Sequence, residues 1–111
     1  TTLPDGTKRY TYGSQPKGVI MYTPDGYMSC HMAGGGEPDP SAPMVTRTGY
    51  FGPVVMRPHD KVVEHHVRDS TNEWMLGTVQ ERGYRVEGDN LILSAAMGEN
   101  QIEVVWSRNW R

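Results

Sequence analysis

A chain of 111 residues with formal charge −2 has the size of one domain, expected to span residues 1–111. Its charged residues are spread rather than blocked, which leaves no footprint for nucleic acid or for an anionic membrane surface. A single cysteine, Cys30, rules out an intramolecular disulfide, and no apolar run approaches the roughly 18 residues of a membrane span; a cytoplasmic protein is expected.

The N-terminal stretch "TTLPDGTKRYTYG" lacks the basic start and apolar segment of an export signal. From there glycine and proline punctuate short runs rich in Val, Ile, Tyr and Thr, as in an all-β chain of many short strands. Strands are expected at Lys8 to Tyr12, Gly18 to Tyr22, Tyr27 to Met32, Thr46 to Met56, Lys61 to Arg68, Thr78 to Glu87, Leu91 to Ser94 and Gln101 to Trp106. The connections Thr23 to Gly26, Arg57 to Asp60 and Glu87 to Asn90 carry Pro, Asp, Asn or Gly where tight turns need them. Successive strands should therefore pair as antiparallel hairpins. The best helical stretch, "SAAMGENQ", is interrupted by Gly98, and there is no internal repeat. Ala33 to Pro43, "AGGGEPDPSAP", has almost nothing to bury and predicts a long mobile loop, either a solvated linker or a lid.

Several words in this series resemble the small lipocalin-like domain of bacterial and fungal proteins, some encoded beside natural-product pathways. "KGVIMYTPDGYMSCHM" resembles that family's glycine, two strands and central "YTPDGYMS" hairpin, Tyr22 to Ser29. "VVEHHV", Val62 to Val67, resembles its strand with a histidine pair. "NEWMLGTVQERGYRVEGDNLILS" resembles its Trp, Gly, Gln and Arg followed by a "GD.L.L" hairpin, and "IEVVWSR" its closing strand. The resemblance covers most of Lys17 to Arg108 and implies an antiparallel barrel of about eight strands with an interior for a small apolar molecule. Two departures stand out. The family usually opens with a "GxWxLVS" strand, and this chain starts after the place it would occupy; the family's longer, partly helical insert is here the short Gly and Pro loop. A barrel short of its first strand should expose an edge, and such edges pair with other chains, so a homodimer is expected.

Neighbouring side chains on a strand point to opposite faces, which sorts the candidate site residues. In Val62 to Arg68, the set Val63, His65 and Val67 is the more apolar, so His65 should face inward and His66 outward. Met28, Cys30 and Met32 form the apolar set of their strand, and Cys30 is expected to be a small buried hydrophobe. Glu81 and Arg85 mark the outer face of Thr78 to Glu87, leaving Gln80, Arg82, Tyr84 and Val86 inside. An inward guanidinium must find an anion or several acceptors. Alternatively, Arg82 lies at the barrel mouth, neutralised by Glu64 or Asp69 or reaching solvent. Between the sets Tyr50, Gly52, Val54, Met56 and Phe51, Pro53, Val55 alternation does not choose, since both are apolar.

Four histidines invite a metal reading, but adjacent His65 and His66 cannot reach one ion from a regular strand and His59 lies in a turn, so neither metal nor other cofactor is expected. The partner implied is a small hydrophobic or aromatic ligand. Two functions use the same interior. One is a cofactor-independent cyclase, isomerase or dehydratase acting on a polyketide-like or terpenoid-like intermediate. There His65 transfers protons, with an unperturbed pKa near neutrality. Arg82 and Gln80 polarise a carbonyl, and Tyr22, Tyr50, Trp74 and Tyr84 form walls. The other is a non-catalytic carrier or sensor.

Overall fold

The computed structural model describes residues 2–6, 12–37, 39–40, 47–97 and 100–108. Eight strands account for most of them: β1 (Lys17–Tyr22), β2 (Tyr27–Ala33), β3 (Arg47–Arg57), β4 (Val62–His66), β5 (Asp69–Ser70), β6 (Val79–Glu87), β7 (Asn90–Met97) and β8 (Asn100–Ser107). All pairings are antiparallel in the order β1-β2-β3-β4-β6-β7-β8, and β5 pairs with β3 beside this path. The two ends of this order approach each other. The Trp106 ring of β8 comes within 3.3 Å of the place a Cβ on Gly18 of β1 would take, and the sheet curls into a nearly closed barrel. No helix among the described residues is long and apolar enough to cross a membrane.

The hairpins follow from their turn residues. In "TPDG", Gly26 adopts φ 90°, the Thr23 hydroxyl is hydrogen-bonded to the Asp25 carboxylate, and the Thr23 and Tyr27 backbones close the loop at 2.9 Å. In "EGDN", Gly88 takes φ 59°, and Asn90 starts β7 opposite Glu87.

The expected strand Lys61 to Arg68 is broken. β4 ends at His66; Val67 N–H donates to the Thr78 carbonyl at 2.9 Å and Arg68 N–H to the Phe51 carbonyl at 2.8 Å, after which the chain resumes as the two-residue β5. The cause lies in β3, whose N-terminal half pairs with β2 and β5 and whose C-terminal half pairs with β4. Pro53 has no N–H for a ladder, and Gly52 admits the His66 carbonyl where a Cβ would overlap it. The long strand thus bends at Gly52 and Pro53, and two half-sheets share it.

A short 3-10 turn, Glu73–Met75, was not expected from the sequence; it buries Met75 beneath β5. The loop after β2 also differs from expectation in its described part. Gly35 N–H donates to the Tyr12 carbonyl, Ser14 N–H to Glu37 and Gln15 N–H to Gly35, each at 3.0 Å, so residues 34–37 are laced to residues 12–15 rather than free. Gly35 makes this close approach possible, since a Cβ there would strike the Gln15 carbonyl. Of the strand expected at Lys8 to Tyr12, Lys8 to Thr11 lie outside the described residues, and Tyr12 is in a turn.

The core lies on the concave side of the bend. Met28, Cys30, Tyr50, Val67 and Met75 form one buried cluster, with Ile20, Met32 and Val54 packed against it. The register of β2 on β3 settles which face of β3 is inward. Cys30 faces Tyr50 and Met28 faces Gly52, so the buried alternate positions of β2 draw Tyr50, Gly52 and Val54 to their side and leave Phe51 exposed.

Candidate functional site

His65 is buried to 1 % exposure on the concave face of β4, at the junction of the two half-sheets. Its neighbour His66 points outward and donates from Nε2 to the Glu64 carboxylate at 2.9 Å. Strand alternation alone produces this separation, since Val63, His65 and Val67 are buried and Val62, Glu64 and His66 are half-buried.

Both ring nitrogens of His65 are engaged. Nε2 lies 2.6 Å from the Tyr22 hydroxyl and Nδ1 lies 2.8 Å from the Tyr50 hydroxyl, with the ring centroids 5.7 and 5.6 Å apart. Tyr22 closes the edge strand β1 and Tyr50 belongs to the first half of β3, so the bend at Gly52 is what carries two phenols of one half-sheet to an imidazole of the other. Tyr50 also stands opposite Cys30, its register partner on β2. The result is a chain Tyr50, His65, Tyr22 with Cys30 beside Tyr50, in which Tyr22 alone is more than a third exposed. Contacts over 43 and 15 residues are not visible in a local pattern, although counting the "TPDG" hairpin outward does place Tyr22 opposite Met28 on the buried face.

Arg82 stands on the same concave face, since β6 pairs Arg82 with Val63 and Gln80 with His65. Its guanidinium donates to Gln80 Oε1 at 3.3 Å and to the Glu81 carbonyl at 3.0 Å. Gln80 in turn donates to Thr78 at 2.7 Å, and Thr78 donates to the Met75 carbonyl. Among the described residues no carboxylate forms an ion pair with Arg82. The two acids considered for that role are engaged elsewhere: Glu64 lies 3.2 Å from Arg57 and 2.9 Å from His66, and Asp69 accepts from Ser70 N–H.

The electrostatics follow from burial beside the Arg82 cation. Desolvation, then the Arg82 charge, lower the His65 pKa to about 4, so the imidazole is neutral at pH 7 and a weak base. Its titration is therefore not the near-neutral one that an unperturbed histidine would supply. Burial pushes the Tyr22 and Tyr50 phenols up, with Cys30 adding to the rise and Arg82 opposing it, and both stay protonated. Burial likewise raises the Cys30 thiol.

Tyr84 and Gln80 are half-buried on the Arg82 face of β6. Trp74 is not brought to the cluster. It is 63 % exposed on the 3-10 turn, where one side chain turns inward and Met75 takes that place. Two surface clefts lie away from the histidine. One of about 420 Å3 runs over Ser29, His31, Gly49 and Phe51 on the outside of β2, β3 and β5; another, of about 300 Å3, lies over Val62, Glu81, Gly83 and Ser94. Among the described residues no group of three His, Cys, Asp or Glu side chains is placed to hold a metal ion.

A family model described as a lipocalin-like domain matches residues 1–48 and 41–110. No curated protein and no solved structure matches the chain.

Proposed function

The chain belongs to the lipocalin-like domain family, and from that premise we propose that the concave side of its barrel binds a small hydrophobic or aromatic ligand, which it cyclises, isomerises or dehydrates without a cofactor. The observation that supports a polar reaction there is the Tyr22–His65–Tyr50 chain on the same face as Arg82 and Gln80, beside apolar Ile20, Met32 and Val54. An apolar body would pack on Ile20, Met32 and Val54 while one oxygen met hydrogen-bond donors. Gln80, at His65's side on β6, and Arg82 would polarise that oxygen, with Tyr84 as a wall. A polyketide-like or terpenoid-like intermediate has this mixture of carbon skeleton and sparse oxygens. A cytoplasmic setting and a homodimer formed through the β1 edge belong to the same reading.

A non-catalytic carrier is the second reading, and one observation favours it: His65 has both nitrogens bonded and a pKa of about 4, so it is a poor proton acceptor. Incubation of the purified protein with linear β-polyketone and polyprenyl alcohol substrates, followed by mass spectrometry and chromatography, separates the two. A dehydrated or isomeric product that depends on His65 supports the enzyme. Retained but unaltered ligand supports the carrier. Absence of any retained ligand is the result that defeats both.

A further inference from the structure

We propose that the Tyr22 hydroxyl is the group through which the buried chain meets its ligand, donating to a carbonyl or enolate oxygen, and that His65 is a positioning residue behind it. This rests on the ligand-binding reading above and changes which atom does the recognising.

Counting hydrogen-bond capacity carries the inference. A neutral imidazole offers one donor and one acceptor, and in His65 both face tyrosines while the ring is 1 % exposed. Tyr50 is 7 % exposed, bonded to His65 and set opposite Cys30. His65 has no hydrogen-bonding capacity left for a guest, and Tyr50 has no surface for one. Tyr22 is 36 % exposed and has its single described hydrogen bond to His65, so a hydroxyl able to donate once and accept twice still has capacity to spare. It also sits at the last position of β1, an end strand of the sheet order, next to the turn that leads into β2.

The two tautomers of His65 give Tyr22 two settings. With the proton on Nε2, the imidazole donates to Tyr22, Tyr50 donates to Nδ1, and the Tyr22 proton is turned to the ligand. With the proton on Nδ1, Tyr22 donates to Nε2 and presents only lone pairs. A ligand with an acceptor oxygen selects the first. Arg82 makes that selection stronger as the oxygen gains negative charge, because no carboxylate among the described residues neutralises it and its field already reaches Tyr22, Tyr50 and His65. The ligand class is therefore a ketone or enolisable carbonyl compound rather than a pure hydrocarbon. Burial keeps the Tyr22 phenol protonated at neutral pH, as a donor must be.

The test uses 2-acetonaphthone and 2-ethylnaphthalene, which share a shape and differ in the oxygen. Binding of the ketone to the wild-type protein should move its infrared carbonyl stretch to lower wavenumber. Tyr22→Phe should remove the shift and weaken ketone binding roughly fivefold to tenfold, with 2-ethylnaphthalene unchanged. His65→Gln should leave the ketone bound with a smaller, broader shift, because Tyr22 loses its fixed direction; a merely structural role for His65 would weaken both probes alike. A shift that survives Tyr22→Phe but vanishes in His65→Gln makes the imidazole the contact and overturns the proposal. Both probes bound by the wild-type protein with no carbonyl shift overturns it while the ligand-binding reading stands. Neither probe bound overturns both.

Discussion

Gly52 of β3 lies directly beneath the His66 carbonyl, so close that a Cβ on Gly52 would overlap the carbonyl oxygen and come within 3.1 Å of Arg68 N. This contact is where β3 exchanges β5 for β4 as its partner, and it sets the angle at which Tyr50 and His65 meet. Gly52→Ala should lower stability by about 3 kcal/mol, the upper end of the over-packing range, because the obstructing atoms are backbone. At Gly83 a Cβ would meet the Ser94 hydroxyl at 2.7 Å, a side chain able to rotate, and Gly83→Ala should cost less than about 1 kcal/mol. Urea unfolding of the two variants checks the difference; equal stabilities would mean that the Gly52 bend is not strained by a methyl group.

The pH dependence of stability should carry the signature of His65. Its folded pKa of about 4 lies below the ordinary value of 6.5, so between these limits the unfolded chain binds a proton that the folded protein refuses. The contribution is fully present above pH 6.5, declines as pH falls and is gone below about 4, a loss of up to about 3 kcal/mol. His65→Gln should abolish this part of the slope in unfolding curves recorded at pH 7 and pH 4.5. His66→Gln should change stability at pH 7 by less than about 0.5 kcal/mol, since its Glu64 contact is partly exposed. A slope retained in His65→Gln would assign it to another group.

Cys30 should be chemically silent while the fold is intact. The residue is 4 % exposed, and burial raises its thiol pKa even though Tyr50 hydrogen bonds pull the other way. Thiol titration with an aromatic disulfide at pH 8 should give fast, stoichiometric reaction in guanidinium chloride and at least about 100-fold slower reaction without it. Rapid labelling of the native protein would show a more open β2–β3 face than the packing implies.

The β1 edge should direct self-association. Val19 and Met21 are 50 % and 57 % exposed there, and no strand among the described residues pairs with the outer side of β1. Light scattering should return about twice the 12.5 kDa of one chain, and Met21→Lys should return a monomer, because an edge lysine opposes strand addition. A wild-type monomer at high concentration excludes this association.

Hairpin chemistry and alternation were legible because both are local. "TPDG" and "EGDN" announce their turns, and the polar positions Glu64, Glu81 and Arg85 mark the outer faces of β4 and β6, which is why counting in twos turned His65 inward and set Arg82 on the other face of its strand from Glu81, while leaving open whether Arg82 lies inside or at the barrel mouth. The same counting treated Lys61 to Arg68 as one strand, since nothing at Val67 or Arg68 signals a break; the break is imposed by Gly52 and Pro53, residues on a different strand. That Trp74 is exposed and Met75 buried was not legible for a related reason, because an aromatic residue next to a methionine in a short turn does not declare which of the two will be buried.

What the sequence determined by itself is therefore the class of fold, the hairpin order and the inward sets of β2 and β4, consequences of turn geometry and a period of two; the inward face of β3 waited for its register on β2, and Val86, expected inside, is exposed. Tertiary structure decided which inward residues touch. Tyr22, Tyr50 and His65 meet only because β3 bends between two half-sheets, and Arg82 lacks a carboxylate among the described residues because Arg57 and His66 hold Glu64 on the opposite face. Hydrogen-bond partners, and with them the lowered pKa of His65, depend on distances between segments remote in sequence, and those distances exist only once the sheet has curled.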